Sequence, residues 1–362
     1  MSRGYIYIKK RGKGVKPQQQ EMIKCLLILL NLFYIAESLV HPAFKLAPFN
    51  HWHCIDLVKN IDKKKPNAYK VGNLTLVTWY NKNNPITTIN ICPHMGSTMN
   101  QGTVNNGCLV CPYHGFKHDR SSAFGSTVEH QGRLFWSYNP IDKKPPSIPF
   151  YDDPDYETSH FTMDVSASVP DLVMNFFDLN HPEFVHPGLL GFGSNVPPKN
   201  IKVYSYPSQK DVLGLSFEYR AKTLFSKIMP ELHCSQNFHL WKYPNSFWSR
   251  VSTPNNQHLY VCLDLLPLEQ DRTRLFATIR HNFFHGPLSR FFMSGVARTI
   301  LEQDERQFKR LSKSSLAKAM MIFNVELNHE DHFSNLKRIL KNYRYPDDNH
   351  VAVLVSQHLK KP

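Results

Sequence analysis

Between residues 46 and 150 apolar positions come in short runs, such as NLTLVTWY (Asn73 to Tyr80) and GRLFWSY (Gly132 to Tyr138), separated by turn signals that include Asn106-Gly107. Runs this short, punctuated this often, predict a small antiparallel β domain. The stretch IDKKPPSIPFYDDPDYE, from Ile141 to Glu157, is rich in Pro and Asp and has no period, which marks a crossover between domains. Beyond it, longer strand-like runs (Lys202 to Tyr206, Leu213 to Tyr219, Leu259 to Leu265, Thr273 to Arg280) alternate with helical periodicity over 168–181 and 288–314 and near 330–343. That order predicts an α+β domain with helices packed on one antiparallel sheet. The expected divisions are an extension at 1–45, a β domain at 46–155, an α+β domain at 156–345 and a tail at 346–362.

Within the extension, CLLILLNLFYIA follows Lys24 and is closed by Glu37. It is shorter than the ~20 apolar residues a bilayer span needs. A signal peptide starting at Met22, an organelle transit segment and a buried terminal helix all suit the pattern. Location is therefore open between cytoplasm, organelle and a membrane surface reached through residues 22–40. Composition narrows the class further: a 362-residue chain that is 41% hydrophobic, with 24 Phe, can fill a core in each domain, which excludes disorder throughout. The net charge of +14 is uneven, with seven Lys or Arg in residues 1–24 against the single Glu21. No basic stripe interleaved with stacking aromatics accompanies it, so nucleic acid is not an expected partner. A solvated positive surface is the plain reading, and docking of an acidic protein is the next.

Seven scattered cysteines do not make a disulfide scaffold, and only CPHMGSTMNQGTVNNGCLVCPYHGF clusters them beside histidines. There Cys92, His94, Cys111 and His114 offer two thiolates and two imidazoles. Such a set suits a structural zinc or a [2Fe-2S] cluster in which two His replace two Cys on one iron. Pro93 and Pro112 stiffen the two loops, while Gly96 and Gly115 let them fold tightly.

A second constellation lies in SVPDLVMNFFDLNHPEFVHPG. At about 100° per residue, Asp171, Asn175, Asp178 and His181 share one helix face, opposite Leu172, Val173, Phe176, Phe177 and Leu179. Pro182 should end the helix at His181, which leaves His186 on the turn that follows. Two imidazoles on a bent segment can take adjacent positions around one metal. A carboxylate to join them is sought in VARTILEQDERQFKRL, where Val296, Ala297, Ile300, Leu301, Phe308 and Leu311 form an apolar stripe. Asp304 sits at its centre, whereas Glu302 points away and Glu305 lies about 100° off. A carboxylate in the middle of an apolar stripe is costly unless it is paired or bound to metal, so Asp304 is the candidate.

C-P-H-M-G with C-P-Y-H-G-F resembles the two cluster loops of Rieske proteins in ligand order and spacing. Cys108 has no partner cysteine after His94, where Met95 stands, so the likeness runs toward the oxygenase branch. Asn175, Asp178, His181 and His186 are similar to the mononuclear iron motif of the Rieske non-haem iron oxygenases, downstream of the cluster pattern as in that family. The resemblance covers roughly 46–345. It implies a β-sandwich-like Rieske domain ahead of a helix-grip catalytic domain, with a [2Fe-2S] cluster on Cys92, His94, Cys111 and His114 and a mononuclear Fe(II) on His181, His186 and Asp304. It further implies a homotrimer in which Asp178 of one subunit meets His114 of a neighbour, and electrons from a ferredoxin or a flavin NAD(P)H reductase. O2 and a small hydrophobic, aromatic-type substrate would complete the set, for hydroxylation or oxidative demethylation. A membrane-associated sterol or tetrapyrrole oxygenase and a Rieske electron carrier are the alternatives.

Overall fold

The computed structural model describes residues 47–191, 198–206, 209–220, 235–310 and 343–359. The extension at 1–45 and nearly all of the stretch at 330–343 lie outside them. The first part of the described chain consists of nine short strands: β1 (His53–Leu57), β2 (Asn67–Val71), β3 (Leu74–Asn81), β4 (Asn84–Ile89), β5 (Thr103–Asn105), β6 (Cys108–Val110), β7 (Lys117–His118), β8 (Ser126–His130) and β9 (Arg133–Ser137). They form three antiparallel sheets in the orders β1-β9-β8, β2-β3-β4 and β5-β6-β7. Val77, Trp79, Leu109 and Met99 fill a small core directly beneath Cys92 and Cys111. The cluster loops therefore stand on packed side chains.

The second part begins with β10 (Glu157–Val165), α1 (Val169–Phe177) and α2 (Pro182–Val185). It continues through β11 (Lys199–Tyr206), β12 (Gln209–Tyr219), β13 (Ser235–Lys242), β14 (Ser246–Ser252), β15 (His258–Glu269) and β16 (Arg272–His281) to α3 (Pro287–Arg310) and α4 (Asp348–Leu359). One seven-stranded antiparallel sheet runs in the order β10-β16-β15-β14-β13-β12-β11. This is the α+β arrangement expected, with α1 and α3 packed on one face of a single sheet and α4 reaching the residues of the other. Three of its strands, β10, β13 and β14, have no counterpart among the expected runs. Their sequences ETSHFTMDV, SQNFHLWK and SFWSRVS mix polar residues into the apolar alternation, which hides the period of two.

The expected tail at 346–362 is a correction: it carries α4, and Leu354 is fully buried beside Phe49, Leu74, Trp136 and Phe276. The β2–β3 turn is closed over it, since Gly72 has φ +58° and a Cβ there would lie 2.3 Å from the carbonyl oxygen of Pro346. Only glycine suits both the left-handed backbone and the close approach.

Leu46–Pro362 forms one compact unit. Phe49, Phe135 and Trp136 share a core with Leu266, Leu268 and Phe276 of the large sheet. Beside it, Arg133 donates to Asp264 at 2.5 Å, with both side chains buried, and to the carbonyl of Pro146 at 2.8 Å. Arg280 is buried too, and it donates to the carbonyls of Phe150, Tyr151 and Asp153 along the 141–157 crossover. Buried guanidinium groups are costly unless paired, and here the terminal nitrogens of both are paired while each Nε has no hydrogen-bond partner. They hold the crossover against the sheet.

Candidate functional site

The two cluster loops repeat one backbone plan. Cys92 N–H donates to Ser97 C=O at 2.8 Å and Gly96 N–H returns to Cys92 C=O at 2.9 Å. Cys111 N–H donates to Phe116 C=O at 2.8 Å and Gly115 N–H returns to Cys111 C=O at 3.1 Å. Each loop needs a left-handed residue at its fifth position, and Gly96 (φ +74°) and Gly115 (φ +69°) supply it. Both sulfurs end up buried, while His94 and His114 are exposed with ring centroids 4.9 Å apart. None of the five described cysteines is in a disulfide.

Backbone N–H groups of His94 and Met95 point at Cys92 Sγ, and those of Tyr113 and His114 at Cys111 Sγ. Burial pushes the Cys92 thiol up; at Cys111 burial acts the same way but the N–H groups outweigh it, and the thiol is lowered. His118 was not singled out from the sequence. Its Nε2 lies 3.6 Å from Cys92 Sγ, buried on β7. Two buried sulfurs facing two surface imidazoles is a donor set that fits a [2Fe-2S] cluster with its thiolates inward and its histidines outward.

In the second constellation the helix is shorter than the spacing suggests. Ser168 caps α1 by accepting from Asp171 N–H while Asp171 reaches back to Ser168, so Asp171 is a cap and not part of the site. The helix ends at Phe177, four residues before the expected end, because Asp178 turns extended (φ −77°, ψ 104°). Its carboxylate then accepts from the N–H groups of Asn180 (3.0 Å) and His181 (3.3 Å). Asp178 and His181 therefore leave the helix face they were expected to share with Asn175. Pro182 opens α2, and His186 is its C-cap, on the turn as expected.

Those turns aim both imidazoles. His181 Nδ1 donates to the Asp178 carbonyl at 2.7 Å, and His186 Nδ1 donates to Gln303 Oε1 at 3.0 Å. Each ring is thereby left with an Nε2 lone pair, and these stand 3.5 and 3.2 Å from Asp304 Oδ1 on α3. The three ligand atoms lie within 4.8 Å of one another. Asp304 is 4% exposed, and its Oδ1 makes no hydrogen bond of good geometry. Burial pushes its carboxyl up, but the two imidazoles prevail and hold it at about 2. Burial lowers His181, and Asp304 more than offsets this, so its pKa is raised. Two Nε2 atoms and an orphaned carboxylate oxygen, each ring oriented from behind by an oxygen, fit a facial triad for a divalent metal such as Fe(II). Asn175 lies beside it, Nδ2 3.5 Å from His181 Nε2. Gln303 is the residue the wheel overlooked. Helical position alone could have flagged it as the neighbour of Asp304.

The triad opens on a cavity of about 230 Å³ between α3 and one face of the large sheet. Residues of five adjacent strands line it, including Phe217, His239, Phe247, Val261 and Ile279, with Met293 and Ile300 from α3 opposite. The apolar stripe of α3 thus meets the cavity as well as the core. Glu302 and Glu305 take no part among the three, and Glu305 pairs with Lys309 at 2.9 Å.

Residues 51–135 match the Rieske [2Fe-2S] domain model. Two curated relatives are the protochlorophyllide-dependent translocon component 52, chloroplastic, of Arabidopsis thaliana and the pheophorbide a oxygenase, chloroplastic, of Oryza sativa subsp. japonica. Each is 27% identical over 191 residues, which is 43% of this chain and 34% or 36% of the relative. The chain thus spans about a third of the length of these relatives. Among solved structures, a Pseudomonas putida CBB5 NdmA mutant with theobromine matches with a TM-score of 0.61 at 17% identity, over 82% of this chain and 96% of that one. That likeness shows the fold. Among the described residues no helix is long and apolar enough to cross a membrane.

Proposed function

We propose that this chain, a Rieske [2Fe-2S] protein with the fold of the Rieske oxygenase α subunits, is a non-haem iron oxygenase that hydroxylates or oxidatively demethylates a small apolar substrate. One observation carries the reading: His181 Nε2, His186 Nε2 and Asp304 Oδ1 converge on the wall of an apolar cavity in a chain that also holds a Rieske domain. Iron at the triad, supplied with electrons from the cluster, would provide O2 activation.

Around those groups the protein's own residues have distinct tasks. Cys92, His94, Cys111 and His114 hold the cluster. His181, His186 and Asp304 hold the iron, while the Asp178 carbonyl and Gln303 fix the two rings. Phe217, Phe247, Val261 and Ile300 exclude water from the reacting space and bury the substrate. His94 and His114 lie at the surface within a collar of exposed Ile91, Met95, Tyr113 and Phe116, a face suited to docking. We assign that face to a ferredoxin or flavin reductase and to a neighbouring subunit of a homotrimer. In such a trimer the half-buried Asp178 would meet His114 of the next copy, and Asn175 would sit beside this contact.

The test is O2 consumption coupled to product across a screen of apolar aromatic compounds with a compatible reductase. Uptake should follow substrate and vanish in Asp304→Ala. A chain that reduces and reoxidises without a second iron would be an electron carrier, and the oxygenase reading would fall.

A further inference from the structure

Most side chains on the cavity face of the large sheet are apolar, but His239 on β13 is an imidazole built into that wall. Its ring stands edge-on to three phenyl rings, those of Phe177 (6.2 Å, 89°), Phe217 (5.0 Å, 85°) and Phe247 (5.5 Å, 79°). Nδ1 lies 2.9 Å from the carbonyl oxygen of Phe176, a fixed acceptor, so the ring proton sits on Nδ1. Burial holds the pKa down at about 4, and the imidazole is neutral near pH 7. Nε2 therefore carries a lone pair, and among the described residues it has no hydrogen-bond partner. Ser249, directly across on β14, also lines the cavity. Asn237 contributes less, because its amide donates to Ser235.

Within the oxygenase reading, on which this rests, we infer that His239 is a specificity-determining residue whose Nε2 accepts a hydrogen bond from a hydroxyl of the substrate. The substrate class is thereby an aromatic or alicyclic alcohol with an otherwise apolar body. An acceptor that a ligand seals from water without supplying a donor is costly, so the wall favours a ligand that brings one. The three rings and the Phe176 carbonyl prevent the imidazole from turning away, and the acceptor is set before anything binds. Because His181 and His186 line the same cavity, the anchored hydroxyl fixes which part of the apolar body faces the triad.

Binding of a matched pair, 2-naphthol and naphthalene, to the purified protein tests this without turnover. Tryptophan fluorescence titrations of wild type, His239→Phe and His239→Gln would be read beside iron content. We expect wild type to prefer 2-naphthol by about tenfold, the reach of one neutral hydrogen bond. His239→Phe should bring the ratio near unity with naphthalene affinity within about twofold, and His239→Gln should keep a part of the preference. No preference in wild type, a preference that survives His239→Phe, or failure of both probes to bind would each overturn the proposal. Iron at the triad is measured separately: a protein that discriminates the probes but holds no iron refutes the oxygenase reading and leaves the acceptor role standing.

Discussion

Replacing Gln303 by Leu removes the oxygen that orients His186 while leaving every proposed metal ligand in place. His186 is 1% exposed, and its Nδ1 donates to Gln303 Oε1 at 3.0 Å. Without that acceptor a buried N–H is left unpaired, at a cost of ~1–3 kcal/mol, or the ring turns and Nε2 loses its aim. Loss of such an orienting partner weakens metal binding by about 10–100-fold, which is about 1.4–2.7 kcal/mol. The two ranges agree, so the whole penalty is expected to fall on the metal. Anaerobic Fe(II) titration against a competing chelator measures it, with the cluster absorbance of the same sample as internal control. Gln303→Glu keeps an acceptor and should stay within about threefold of wild type. If Gln303→Leu binds iron as wild type does while His186→Ala does not, Gln303 does not position the ligand.

Further outcomes follow from other buried groups. His53, whose Nε2 donates to Pro48 C=O at 2.6 Å and whose Nδ1 accepts from Asn245 Nδ2 at 3.0 Å, is pushed by burial from 6.5 to about 4. The unfolded chain then binds a proton the folded chain refuses, so stability is whole above about pH 6.5 and falls toward pH 4, by up to about 3 kcal/mol for this residue. Urea midpoints at pH 7.5 and 5 should show the loss, and His53→Gln should lessen it, leaving the share of His160 and His239, which burial also holds at about 4. Asp264→Asn strands Arg133 as a buried charge and should cost about 3–5 kcal/mol in urea unfolding, with Arg133→Met/Asp264→Leu recovering much of it; equal stability in the two variants would contradict this. Gly115→Ala has open space for its Cβ but keeps φ +69°, so about 1–2 kcal/mol of backbone strain should appear as reduced cluster occupancy by absorbance.

The cluster loops were legible because ligand order, proline and glycine are all local, and the structure repeats the same turn twice around Cys92 and Cys111. The place of Asp304 beside His181 and His186 was legible for a different reason: a carboxylate inside an apolar stripe contradicts its surroundings, and a helical wheel exposes the contradiction. The 168–181 helix was overextended because Asp178 leaves helical geometry to bond the backbone of Asn180 and His181, a competition that periodicity does not register. Strands β13 and β14 were hidden by the polar residues that line a cavity, and His239 with them. The C-terminal segment read as a tail because twelve residues cannot reveal that Leu354 completes a core built from Phe49 and Phe276, far away in sequence.

The central claim is that one chain holds two metal sites, and metal counting on wild type and Asp304→Ala tests it most directly. Anaerobically purified wild type should carry about three irons and about two acid-labile sulfides per chain. Asp304→Ala should lose about one iron and keep both sulfides and the Rieske EPR signal of the reduced protein. Zinc in place of iron, or an iron content unchanged by removing Asp304, would contradict the account.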